Sequence, residues 1–107
     1  MLPSKNRLRS ADFKQMRSAR AIHSPHFFAR IARSAESEDG RAAAVVSSAV
    51  AKKAVTRNLL RRRIYEALHP RLPLLSGSRL AITAKKGAPA LSFKELQSEL
   101  SLLLARV

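Results

Sequence analysis

An α+β fold, with helices packed on a single sheet, is what this sequence predicts, and three observations carry the prediction. Short segments of strand character, with β-branched, aromatic or small apolar residues, recur at residues 27–33, from Arg41 to about Val50, and at residues 79–84. Two other segments, Lys52 to Leu68 and Ser92 to Leu103, space their apolar residues at helical intervals instead. At 107 residues the chain is long enough for one core and not for two, so these segments must pack together in one domain, residues 1–107.

The elements follow in order. Residues 1–9 are basic and contain Pro3, which predicts a flexible arm that gains order on a partner. Ser10 can cap a short helix ending near Arg20. Asp12 suits its first turn, and Phe13 and Met16 form its apolar stripe. Phe13 is then either a core residue or a ring offered to a base. After the turn-like HSPH, alternation places Phe27, Ala29 and Ile31 on one face of a strand and Phe28, Arg30 and Ala32 on the other. A face showing Phe beside Arg suits single-stranded RNA, by stacking and charge pairing, unless both rings are buried.

SAESEDG, residues 34–40, holds three of the seven acids and reads as an exposed hairpin loop; its spacing fixes no octahedral metal site. A strand is expected from Arg41 to about Val50, and Ala51 leads into the most informative stretch. Between Lys52 and Arg63 six of twelve residues are basic. As a helix, this run places Leu60, Ile64, Ala67 and Leu68 on one face, and Arg57, Asn58, Arg61, Arg62 and Tyr65 roughly opposite. Solvated faces usually mix both signs, yet Glu66 is the only acid between Lys52 and His69. Guanidinium and amide groups pointing one way suit repeated phosphate oxygens.

Pro70 and Pro73 stop the helix, and HPRLPLLSGS is a linker into the strand at Arg79–Ala84, with Leu80 and Ile82 on one face. Lys85-Lys86-Gly87 is a basic turn that can meet phosphate or simply keep the strand end soluble. Ser92 and Glu95 form a capping box for the last helix, whose stripe of Phe93, Leu96, Leu100 and Leu103 closes the core.

Composition narrows the function. Twenty-one Lys and Arg against seven Asp and Glu give a net charge of +14 and a pI near 11.8, which points to a polyanionic partner, nucleic acid first. With no cysteine there is no disulfide framework or thiolate metal site, which fits a reducing cytoplasm. No apolar run is long enough to span a membrane, and the Arg57–Tyr65 face lacks the bulky apolar residues of a membrane-surface helix. Catalytic residues are not apparent: His23, His26 and His69 are scattered, and the acids outside the loop (Asp12, Glu66, Glu95, Glu99) do not suggest a two-metal centre. We expect no metal or cofactor held by the chain itself.

One further pattern is a likeness. Lys53-Ala54-Val55, then Arg57-Asn58, Arg61-Arg62 and Ile64, resembles the Arg/Asn-rich helix of the bacterial ribonuclease P protein subunit. AAAVVSSAV lies where that family has a Val-rich strand, KNRLRSADF resembles its basic leader and Asp-Phe helix, and LAITAKKGA its last strand and basic turn. The resemblance covers about residues 5 to 105. Two departures remove polar or cationic groups: Leu59 stands where the family's Arg-Asn-Arg has its second Arg, and Ser47-Ser48-Ala49 replaces a usual Ser-Lys-Lys.

The resemblance implies a two-layer sandwich of about four strands and three helices, with a left-handed βαβ crossover where about 98% of such units are right-handed. It also implies a division of labour. A catalytic RNA subunit using magnesium would cut the strand, while the protein binds that RNA and the 5′ leader of precursor tRNA, with no membrane and no protein partner required. The RNA-binding candidates are Lys53, Arg57, Asn58, Arg61, Arg62, Lys85 and Lys86, and the leader-binding candidates are Phe13, Phe28 and Arg30. The rival is a non-catalytic basic ribosomal or RNA-chaperone protein, which would share the charge but would not stimulate cleavage of precursor tRNA.

Overall fold

Side chains alternate across a strand, so each strand divides its residues between the two faces of a sheet. The computed structural model describes residues 20–33, 41–71 and 78–106. Among these, β1 (Arg20–His23), β2 (Phe27–Arg33), β3 (Arg41–Val45) and β4 (Ser78–Ala84) form one sheet in the order β1-β2-β4-β3. Strand β2 is antiparallel to both β1 and β4, whereas β3 runs parallel to β4. The long connection between β3 and β4 contains α1 (Ala54–Leu68), which makes the expected βαβ unit. A 3-10 turn (Ala88–Ala90) and α2 (Phe93–Leu104) follow.

Both helices cover the same face of the sheet. Phe27 and Ala29 of β2, Ala42 of β3 and Leu80 and Ile82 of β4 are wholly buried there. They meet Leu60, Ile64, Ala67 and Leu68 of α1 and Leu96, Leu100 and Leu103 of α2 in one cluster. The helical stripes are therefore those the apolar spacing implies, with Leu104 added and Phe93 only half-buried at the start of α2. The capping box is present: Glu95 N donates to Ser92 Oγ at 3.1 Å, and Ser92 N donates to Glu95 Oε1 at 3.0 Å.

Three expectations need correction. Arg20–Ile22–His23 is strand, not helix end and turn, because it pairs with Phe28–Ile31 in a hairpin whose turn is Ser24–His26. Strands β2 and β3 are not joined as a hairpin, since β4 lies between them. Strand β3 ends at Val45 and not near Val50: its partner β4 runs only one residue beyond the Val45–Thr83 pair, and Val50 N and Ala51 N both turn back to the Ser47 carbonyl. The arm of residues 1–9, residues 10–19 of the expected first helix with Phe13, the loop 34–40 and the linker residues 72–77 lie outside the described residues.

Candidate nucleic-acid interface

Strand β3 forms one edge of the sheet, and α1 lies beside it. Backbone N–H groups at such an edge need a partner, and Tyr65 supplies one by accepting a bond from Ala44 N at its hydroxyl, 3.1 Å away. Tyr65 is thus half-buried and turned toward the sheet, not outward as helical spacing alone suggests. That contact and the buried Leu60–Ile64–Ala67–Leu68 stripe orient α1 on the sheet. Together they leave Asn58, Arg61 and Arg62, with Tyr65 as a wall, around a surface pocket of about 360 Å³. Arg62 and Asn58 are exposed, and half-buried Arg61 donates to Asn58 Oδ1, which fixes a guanidinium beside an amide.

The start of α1 adds to this positive character. Lys53 occupies the N-cap position with its side chain exposed, and no acid stands in the first turn to offset the positive end of the helix dipole. Arg57 does a different job from its neighbours. Its Nη1 donates to the carbonyls of Ala51 (2.9 Å) and Lys52 (2.8 Å), so it clamps the loop that delivers the helix. It therefore stands beside the Asn58 pocket without lining it.

The basic turn comes at the end of β4. Lys85 is half-buried, with Nζ donating to the Ser24 carbonyl at 2.9 Å, whereas Lys86 is exposed. Gly87 has φ +90, a left-handed conformation that favours glycine, and it leads into the 3-10 turn that packs against α1. The turn thus tethers one lysine and presents the other.

The sheet face away from the helices carries the residues expected for leader contact. Cross-strand register places Phe28 and Arg30 of β2, Thr83, Ala81 and Arg79 of β4, and Arg41, Ala43 and Val45 of β3 on this face. Phe28 is half-buried, with its ring tilted against the His23 ring at 4.5 Å between centroids. Arg30 is half-buried, and Arg41 and Arg79, paired across β3 and β4, are buried at 3% and 2% exposure. All three arginines are already engaged within the fold. Sequence reasoning missed His23, Arg41 and Arg79 here. The first was assigned to a turn; alternation opposes Arg79 to Leu80 and Ile82 within its own strand, but only the β3–β4 register brings it beside Arg41.

His26 and the acids of α2 serve the scaffold. Glu99 accepts bonds from Ser24 Oγ (2.6 Å) and His26 N (2.7 Å), and its other oxygen lies 2.7 Å from His26 Nδ1. Burial penalises its charge, but the Ser24 and His26 bonds outweigh that and hold its carboxyl below the usual glutamate range. Glu95 is also held low, by its bonds with Ser92 at the helix cap. Among the described residues no group of three or more His, Cys, Asp or Glu is placed to hold a metal ion. Among them too, no helix is long and apolar enough to cross a membrane.

Comparisons with known proteins agree on one family. Its sequence model, described as Ribonuclease P, matches residues 2–107. The ribonuclease P protein component of Acidothermus cellulolyticus is 34% identical over 110 residues, covering 100% of this chain and 92% of that protein. An RNase P protein from Staphylococcus aureus superposes with a TM-score of 0.84 at 19% identity, covering 97% of this chain and 95% of its own. The RNase P protein from Thermotoga maritima gives 0.82 at 19% identity, covering 94% and 96%.

Proposed function

The chain belongs to the ribonuclease P protein family, and from that membership we propose how it works as the protein subunit of the ribonucleoprotein that frees mature tRNA 5′ ends. The RNA subunit carries out the magnesium-dependent scission, and this chain holds the RNA and the substrate in register. The flank of α1 with Lys53, Asn58, Arg61 and Arg62 contacts the catalytic RNA, supported by Arg57, Lys86 and Lys85. The sheet face with Phe28 and Arg30 contacts the 5′ leader of precursor tRNA, and Phe13 joins it. The complex works in the cytoplasm without a further protein partner. On the strength of the family, the β3–α1–β4 crossover is left-handed.

The observation that carries this proposal is the one-signed flank of α1. Among the described residues the Asn58 pocket is lined by two guanidiniums, an amide and a phenol and by no carboxylate, at the side of a helix whose first turn also lacks an acid. Such a surface gains from phosphate contacts and from the counterions they release. Leu59, where the family has a second Arg, is 42% exposed and contributes no charge, so Arg61 and Arg62 carry more of the contact.

Titration of a bacterial ribonuclease P RNA with the protein at several salt concentrations tests this directly. The logarithm of the binding constant falls linearly with log salt, and each lost duplex phosphate contact flattens that slope by about 0.9. A binding constant indifferent to salt, or equal for the Arg61→Ala, Arg62→Ala variant, would refute the assignment.

A further inference from the structure

On its other flank, α1 faces α2, and the two leave an open groove of about 540 Å³ near the end of α1. Helical spacing makes the wall from α2 a single stripe: Lys94, Gln97, Ser98 and Ser101 stand at i, i+3, i+4 and i+7. Ala67 and Arg71 face them from the end of α1. Arg71 donates to Ser101 Oγ, so its guanidinium is held against α2 and not left free to wander. Lys94 is exposed at the other end of the stripe.

The chemistry of this groove is as one-sided as that of the Asn58 pocket. Among the described residues its lining holds two cations, two hydroxyls and an amide and no carboxylate. Glu95, next to Lys94, is turned back onto the Ser92 N–H at the helix cap. Seven residues of helix separate Lys94 from Ser101, where Arg71 is anchored, or about 10 Å of rise. Cations spread over that length suit successive phosphates of a strand better than one isolated anion. A protein segment would need buried apolar or aromatic anchors, and among the described residues the apolar lining is Ala67 and Pro70.

We propose that this groove is a second contact for RNA backbone phosphate, so that the RNA subunit holds α1 from both flanks. The Tyr65 bond to β3 marks one flank and the Ala67 wall the other, and the two lining sets share no residue. The proposal rests on the reading of the chain as an RNA-binding subunit, and it adds Arg71, Lys94 and Gln97 to its contacts.

The chain has no cysteine, so single thiols report position cleanly. Gln97→Cys in the groove and Val55→Cys on the exposed outer side of α1, each carrying a tethered iron chelate, are assembled with a bacterial ribonuclease P RNA and allowed to cleave it by hydroxyl radicals. Both probes are expected to cut, at separate sets of nucleotides. In parallel, the Arg71→Gln, Lys94→Gln variant should bind more weakly, on the order of fivefold per phosphate contact at 0.15 M salt, with a log-salt slope flattened by about 0.9 for each. Cutting from Val55→Cys with silence from Gln97→Cys overturns the groove contact and leaves the subunit reading intact. A double variant that melts normally and keeps the original affinity and slope overturns it equally. Silence from both probes overturns the subunit reading as well. If the double variant fails to fold, the Gln97 probe still decides, because that side chain is exposed.

Discussion

Replacing Glu99 with Ala should cost this fold more than any exposed arginine does. Glu99 reaches from α2 to the turn between β1 and β2, where its carboxylate meets Ser24 Oγ, His26 N and His26 Nδ1 at 2.6, 2.7 and 2.7 Å. Only 15% of its side chain is exposed. Bonds to a charged acceptor contribute roughly 1.5–3 kcal/mol each, but three that share one carboxylate are not additive, and water can enter the truncated site. The expected loss is about 2–4 kcal/mol, which lowers the Tm of a domain this size by about 8–16 °C.

Acid should erase much of the difference between the native chain and its variant. The carboxyl of Glu99 titrates below its ordinary value in the folded chain, because its bonds with Ser24 and His26 outweigh the burial that opposes its charge. A group depressed in the folded state stabilises fully above its unfolded value of about 4.3, and that stabilisation disappears as pH falls through the lower folded value. Thermal melts of the native chain and of Glu99→Ala from pH 7 down to pH 3 should show a gap that is widest at neutrality and closes in acid. A variant melting within about 2 °C of the native chain at pH 7, or a gap unchanged across the series, would refute this account of the turn.

Three other variants follow, the first two of which separate binding from folding. Arg61→Ala with Arg62→Ala leaves the Leu60–Ile64–Leu68 stripe untouched, so stability should move by about 0.5 kcal/mol, or about 1 with the Asn58 bond lost, while RNA affinity falls by roughly 1.5–3 kcal/mol per charge-assisted contact. Equal losses in melting and binding would contradict that. Phe28→Ala should reduce discrimination between precursor and mature tRNA by about 1–3 kcal/mol for one stacked base, while the RNA subunit still assembles. Because Phe28 is only half-buried, its folding cost should stay below the roughly 3–5 kcal/mol of a full core truncation, and a melt that falls that far with both functions lost would end its role as a leader surface. Gly87→Ala should destabilise by about 1–2 kcal/mol, since φ is +90 there and the new Cβ would stand 3.2 Å from His26 Cδ2; an unchanged melt refutes it.

The parts of the fold legible in the sequence are those that local chemistry decides. Leu60, Ile64 and Leu68 are buried because spacing alone puts them on one side of α1, and Ser92 with Glu95 marks the start of α2 because a capping box needs only four residues. Alternation likewise placed Phe27 inward and left Phe28 and Arg30 on the other face. What failed was pairing. Strand β1 has four residues with only Ile22 buried, which is too few for an alternating signal, and nothing local says that β4 inserts between β2 and β3.

The candidate site divides in the same way. The sequence identified Asn58, Arg61 and Arg62 as one surface, since they are close on a single helix. It could not assign Arg57 to the Ala51 and Lys52 carbonyls or turn Tyr65 toward Ala44 N, because both depend on how α1 meets a loop and an edge strand. Buried Arg41 and Arg79 were hidden for a related reason: arginine normally marks a surface, and only the register between β3 and β4 brings the pair together.

Reconstituted cleavage of precursor tRNA is the decisive assay. Nuclease-free protein alone, a bacterial ribonuclease P RNA alone, and the two together are compared at low and at physiological magnesium, with the 5′ leader as the scored product. The protein alone should cleave nothing, and at low magnesium the native chain should clearly stimulate the RNA while the Arg61→Ala, Arg62→Ala variant does not. Specific 5′ processing by the protein without RNA, or an RNA whose activity the native protein leaves unchanged, would contradict the subunit reading.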